Sequence, residues 1–113
     1  MKNTKEVLVI DQEIIKEGIK LLIEDFGRLH NLQVVDGLKT LFDCELSADE
    51  FLRAINSLND CEFLSSHIHG YWKINKKFIG YTVSKARLDK VELLRRRYKE
   101  IQKELKERLE KIQ

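Results

Sequence analysis

The side chains with chemistry to offer are mostly cations, and they are concentrated. Residues 1–62 carry seven Lys and Arg against thirteen Asp and Glu, whereas residues 63–113 carry fourteen against six. Residues 100–113 balance at four against four, so the positive excess lies between Phe63 and Lys99. There His67, His69, Tyr71, Trp72, Lys73, Lys76 and Lys77 combine charge with aromatic faces, and Lys85, Arg87 and Lys90 carry the charge onward. Such cations neutralise phosphates, which gives salt-dependent affinity without reading a base sequence. Upstream, Arg53, Asn56 and Ser57 fall on one helical face, where arginine suits a guanine edge and asparagine an adenine edge. Asp49, Glu50 and Asp60 share that face and oppose phosphates, so the expected contact shifts toward His69, Lys73, Lys76, Lys77, Lys85 and Arg87. Arg95-Arg96-Arg97 reads either as a further phosphate-contacting patch or as a solvated helix face.

Other chemistries find little support. His67 and His69 share a strand face and Cys44 and Cys61 are soft ligands, but the spacing fits no usual zinc pattern, so no metal site is expected. The cysteines form no C-x-x-C pair and read as reduced, partly buried thiols. No nucleophile elbow, phosphate-binding glycine loop or H-E-x-x-H occurs, so no catalytic residues, cofactor or small-molecule substrate are expected. Trp72 weighs toward packing its strand onto the body rather than touching a ligand.

These groups need elements to position them. The 113 residues fit one domain, and 42% apolar with 35% charged residues is a globular, helix-leaning balance. No apolar run approaches a membrane span, and no signal-peptide pattern follows Met1–Glu6, so a cytoplasmic, nucleoid-associated protein is expected. Asp11 caps a first helix running to about Arg28, with Ile15, Ile19, Leu22, Ile23, Phe26 and Leu29 as its buried stripe. Gly27 and His30-Asn31 mark its end. Val7–Ile10 is either a strand or an extension of that helix. Leu32–Val34 reads as a brief strand and Val35–Phe42 as a short helix with Leu38, Leu41 and Phe42 inward. After a tight connection at Asp43–Leu46, Ser47-Ala48-Asp49-Glu50 is a capping box. It opens a third helix with Phe51, Leu52, Ile55 and Leu58 inward, ending near Asn59-Asp60. A strand within Cys61–His67, a turn at Ile68-His69-Gly70 and a return strand Tyr71–Ile74 form a hairpin. A last helix, capped by Thr82 or Ser84, meets no breaker before Gln113 and would span about 45 Å.

Leu52, Ile55 and Leu58 running into Cys61-Glu62-Phe63-Leu64, with Tyr71-Trp72-Lys73-Ile74 as the returning strand, resemble the third helix and wing of winged helix-turn-helix proteins. The resemblance covers roughly residues 11–81 and rests on element order and spacing. The expected fold is therefore mainly α with a small β-hairpin: a winged-helix domain over 1–81, then a long C-terminal coiled-coil helix over 82–113. This arrangement looks like PadR-type repressors, bacterial replication terminator proteins and archaeal chromatin proteins, with TubR-type partition proteins related by fold. The resemblance implies double-stranded DNA as ligand, with the third helix in a major groove and the wing on flanking backbone or minor groove. A transcriptional regulator or an architectural, replication or partition factor is thus expected.

The last helix suggests a second partner. Val91, Leu94, Tyr98, Ile101, Leu105 and Ile112 alternate in steps of three and four, with Arg108 at the interrupted position, which is a heptad seam. The charged stretch Lys99–Gln113 argues for projection from the body, and a projecting seam predicts a homodimer. An antiparallel pairing would set Arg97 beside Glu104 of the second copy, whereas the parallel register makes no ion pair. The competing reading packs this helix on its own first helix. For the domain as a whole, the competing reading is a protein-interaction module whose acidic third helix docks a partner.

Overall fold

The structure is a computed structural model and describes residues 9–66, 68–75 and 88–111. Val7, Leu8, His67, Lys76, Lys77, Thr82, Ser84, Lys85, Arg87 and Ile112 lie outside that set, as do the side chains of Ile68 and Lys90. The described chain is mainly helical with one small antiparallel sheet. Its elements run α1 (Gln12–Phe26), β1 (Arg28–His30), α2 (Asn31–Phe42), α3 (Ala48–Asp60), β2 (Leu64–Ser66), a 3₁₀ turn (Ile68–Gly70), β3 (Tyr71–Ile74) and α4 (Leu88–Glu110).

Local chemistry sets the boundaries. The Asp11 carboxylate accepts from the Ile14 N–H at 2.9 Å and starts α1. Gly27, at φ 85°, ends it and turns the chain outward, a geometry that glycine adopts at no steric cost. The helix therefore stops before Arg28, which belongs to β1. The segment expected as a brief strand, Leu32–Val34, lies instead inside α2, and the strand is four residues earlier, at Arg28–His30. His30 supplies the reason: its Nδ1 accepts from the Leu32 N–H, while Gln33 Oε1 accepts from the His30 N–H at 2.9 Å. This reciprocal cap works like the serine-based one but carries a different residue signature. The expected box at Ser47 and Glu50 is present, with the Glu50 N–H 3.1 Å from Ser47 Oγ.

β3 is the central strand, with β1 and β2 antiparallel on either side in the order β1-β3-β2. Arg28, Leu29 and His30 face Lys73, Trp72 and Tyr71, while Leu64, Ser65 and Ser66 face Ile74, Lys73 and Trp72. The turn between β2 and β3 needs a left-handed backbone at His69 (φ 64°) and Gly70 (φ 80°). The sheet lays Leu29, Leu64, Trp72 and Ile74 against a core built from Ile14, Ile15, Ile19, Leu22 and Ile23 of α1, Val34, Leu38 and Leu41 of α2, and Phe51, Ala54, Ile55 and Leu58 of α3. At Gly18 a Cβ would meet Leu38 Cδ2 at 2.9 Å and Phe42 Cζ at 3.0 Å, so the bare glycine lets α1 and α2 close up. On α3 the buried set is Phe51, Ala54, Ile55 and Leu58. Leu52, expected inward, is 50% exposed, because Ala54 rather than Leu52 completes the stripe with Phe51 and Leu58.

The last helix does not project. It lies on α1 and α2, and Val91, Leu94, Tyr98, Leu105 and Leu109 are buried. Leu94, Tyr98, Leu105 and Leu109 join the same core as α1, with Ile101 packed against it. Polar bonds fasten the helix along its length. The Tyr98 hydroxyl donates to Asp25 Oδ2 at 2.8 Å, and Gln102 Nε2 donates to the same oxygen at 2.9 Å. Gln33 Nε2 donates to the Leu109 carbonyl, and Arg108 grips Asp36 through two nitrogens at 2.7 and 3.1 Å. Those hydrogen bonds, and then the Asp36 charge, hold the Arg108 guanidinium above its ordinary range. Burial, reinforced by the Asp25 bond and charge, pushes the Tyr98 phenol well above the usual tyrosine value.

The sequence pattern explains why the helix folds back. Leu109 stands eighteen residues after Val91, five turns of a straight helix. The buried stripe thus follows a period of 3.6 and takes Leu109, whereas a heptad seam of period 3.5 would take Arg108 and Ile112. Val91, Leu94, Tyr98, Ile101 and Leu105 are accordingly residues of the chain's own core, and the unsatisfied seam on which pairing of two copies rested is already filled.

Candidate nucleic-acid interface

Three surfaces carry the polar groups singled out from the sequence. The first is the outward side of α3. Its inward residues pack on α1, and Gln12 Nε2 donates to the Glu50 carbonyl at 3.1 Å, pinning the helix start. The side away from α1 exposes Asp49, Glu50, Arg53, Asn56 and Asp60, with Ser57 half-buried at its margin. Arg53 is turned along the helix, its Nη2 donating to Asp49 Oδ2 at 2.8 Å. Both partners are well exposed, so the pair is weak and gives way readily to a better acceptor. Asn56 is exposed, and Arg53, Asn56 and Ser57 stand as expected on one face, together with the carboxylates.

The second surface is the β2–β3 hairpin. His69 is exposed at its tip and Lys73 is exposed on β3. Trp72 is half-buried, and its Nε1 donates to Asn31 Oδ1 at 2.6 Å, which packs β3 onto the start of α2. Lys76, Lys77, Lys85 and Arg87 of the expected DNA-binding set fall outside the described residues, as noted above.

The third surface was not legible from the sequence. Side chains alternate across a pleated strand, so with Leu29, Trp72, Leu64 and Ile74 facing the core, the opposite side of the sheet presents Arg28, His30, Ser65, Tyr71 and Lys73. Arg28 and Lys73 are directly opposite one another and both exposed. The Arg28 guanidinium sits 4.8 Å over the Tyr71 ring, and His30 meets the same ring edge-on at 5.2 Å. The sequence pattern places Arg28 at the end of the first helix, and only the strand at residues 28–30 brings it beside Lys73.

The arginine triplet of α4 divides rather than forming a patch. Arg95 borders a groove between α1 and α4 with Glu24, Asp25 and Lys99. Arg97 borders one of about 490 Å³ between α2 and α4, with Asp36, Lys39, Asp43, Glu45, Glu104 and Arg108. Both grooves are lined by charges of both signs, and in the second Lys39 pairs with Glu45 and Arg108 with Asp36. Cys44 and Cys61 are free thiols and exposed, rather than partly buried; Cys61 Sγ lies 3.5 Å from the Leu58 carbonyl. Among the described residues no group of three or more His, Cys, Asp or Glu stands together as a metal cage, and no helix is long and apolar enough to cross a membrane. Comparison with family models, with curated proteins and with solved structures gave no match.

Proposed function

We propose that this chain is a winged helix-turn-helix module that binds double-stranded DNA, as a transcriptional regulator or as an architectural, replication or partition factor. The observation that carries the reading is the placement of α3. It follows α2 after a tight turn, leads directly into the β2–β3 hairpin, and turns an outer face with Arg53, Asn56 and Ser57 away from the core. The pairing of β1 with β3, in the order β1-β3-β2, supports the same reading, because it ties the hairpin to the strand between the first two helices. On this reading α3 enters a groove while the hairpin lies along the flanking backbone. The positive excess from Phe63 to Lys99 supplies attraction to phosphates, and the carboxylates of α3 keep base reading modest.

The proposal concerns one chain. The stripe that suggested a second copy is used internally, so nothing in the reading depends on a coiled-coil homodimer.

A mobility shift with random-sequence duplex at low and at physiological salt tests it. Binding should weaken steeply with salt, and replacing Lys73, Lys76 and Lys77 by alanine should weaken it on every sequence alike. No binding at low salt would end the reading. A second reading is favoured by one observation: Leu52 is half exposed on α3, one turn along the helix from Asp49. An exposed apolar residue on an acidic helix suits a basic protein partner. In that case reversing Asp49 and Glu50 to lysine abolishes partner binding, whereas under the DNA reading the same reversal tightens duplex binding.

A further inference from the structure

Two cations directly opposite each other on neighbouring strands repel, and a fold normally avoids the arrangement. Arg28 and Lys73 hold that position at the centre of the outer sheet face. Both are exposed, and among the described residues no ion pair with a carboxylate is recorded for either. The residues beside them are polar or aromatic rather than acidic: Ser65 pairs with Lys73 on its other side, and Tyr71 and His30 complete the face. Arg28 is braced, since its guanidinium lies over the Tyr71 ring at 4.8 Å. That contact orders the side chain without neutralising it.

We infer that Arg28 and Lys73 form a phosphate clamp, with the Ser65 hydroxyl available as a third donor. The occupant is the phosphodiester backbone of nucleic acid, so the inference rests on the DNA reading above and extends the contact surface from the hairpin onto β1. Charge complementarity selects the ligand. One phosphate between the two strands turns the cross-strand repulsion into two charge-assisted hydrogen bonds, and the planar guanidinium presents a fork suited to phosphate oxygens. The clamp contacts no base, so it raises affinity equally on all sequences.

The test combines salt dependence with stability. Duplex affinity is measured across a salt series for the wild type, Arg28→Gln, Lys73→Gln and the double variant, with thermal midpoints taken alongside. The clamp neutralises one phosphate, so the double variant should lose about 0.9 from the slope of log K against log salt, and each single variant part of that loss. Arg28→Lys should keep the slope. Because each glutamine relieves a like-charge contact, the midpoints should stay level or rise. Arg28→Glu, which sets a carboxylate opposite Lys73, should raise the midpoint further while weakening binding. Unchanged slopes in Arg28→Gln, or affinity lost only together with a falling midpoint, overturn the clamp and leave the DNA reading standing. If the wild type binds no duplex, the DNA reading falls. The anion site itself is then read by titrating inorganic pyrophosphate and following the Arg28 and Lys73 side-chain resonances. Shifts at both uphold a phosphate site there, and no shift removes it.

Discussion

The last helix and the outer sheet face are both rich in charge, but the fold treats them in opposite ways. On α4 almost every group that faces the body is used: Tyr98 and Gln102 reach Asp25, Arg108 holds Asp36, and the leucines fill the core. On the sheet, Arg28 and Lys73 are set side by side with no recorded carboxylate partner among the described residues. α3 stands between these extremes, capped and packed on one side and holding only a weak Arg53–Asp49 pair on the other. Charge density in a sequence therefore does not mark a binding surface. What marks it is charge that the fold leaves uncompensated, since an unpaired exposed cation keeps its full attraction for a ligand.

The comparison breaks most visibly if α4 is not part of the core. Leu105→Ala should destabilise the chain by about 2–5 kcal/mol, read from the urea midpoint. The thermal midpoint of the wild type should not move over a roughly tenfold range of protein concentration; a rise with concentration would mean that the stripe is shared between copies. Ser47→Ala removes the cap that starts α3 and should cost about 1 kcal/mol, with no change in cooperativity, if α3 unfolds together with α4.

Tyr98 sharpens the contrast through pH. Its folded-state affinity for a proton is raised above that of the unfolded chain. Its stabilising contribution is therefore complete below the ordinary tyrosine value of about 10 and is lost as pH rises through the higher, folded-state value. Stability should fall on the alkaline side, and Tyr98→Phe should fall less steeply there; equal slopes would mean that the phenol is neither buried nor bonded to Asp25. The smallest effect concerns α3. Asp49→Asn frees Arg53 and removes one repelling carboxylate, and should tighten duplex binding roughly two- to threefold. Weaker binding would turn attention to a protein partner for that face.

Much of the architecture was legible because it rests on short-range chemistry. Asp11, the Ser47–Glu50 box, the turn at Ile68–Gly70 and the strand Tyr71–Ile74 are each written in a few adjacent residues, and the structure places them there. The first strand was not legible. Its position depends on a histidine acting as a cap, a role that serine, threonine, aspartate or asparagine usually fills. Of the candidate site, Arg53, Asn56, His69 and Lys73 are exposed and Ser57 half-buried, while Arg28 was missed because its neighbour Lys73 is distant in sequence. The heptad reading failed for a related reason: over six or seven contacts, periods of 3.5 and 3.6 differ only at the final turn, where Leu109 rather than Arg108 is buried.

By itself, then, the sequence determined where α1 and α3 begin, how the hairpin turns, and that positive charge gathers after Phe63. Those properties follow from local propensity, capping and composition, which act over a few residues. Only the tertiary structure decided what the last helix packs on and which cations remain unpaired. Burial of the α4 stripe depends on apolar faces of α1 and α2 more than fifty residues away, and the Arg28–Lys73 juxtaposition depends on strand register. Neither is encoded in any window short enough to read from neighbouring residues.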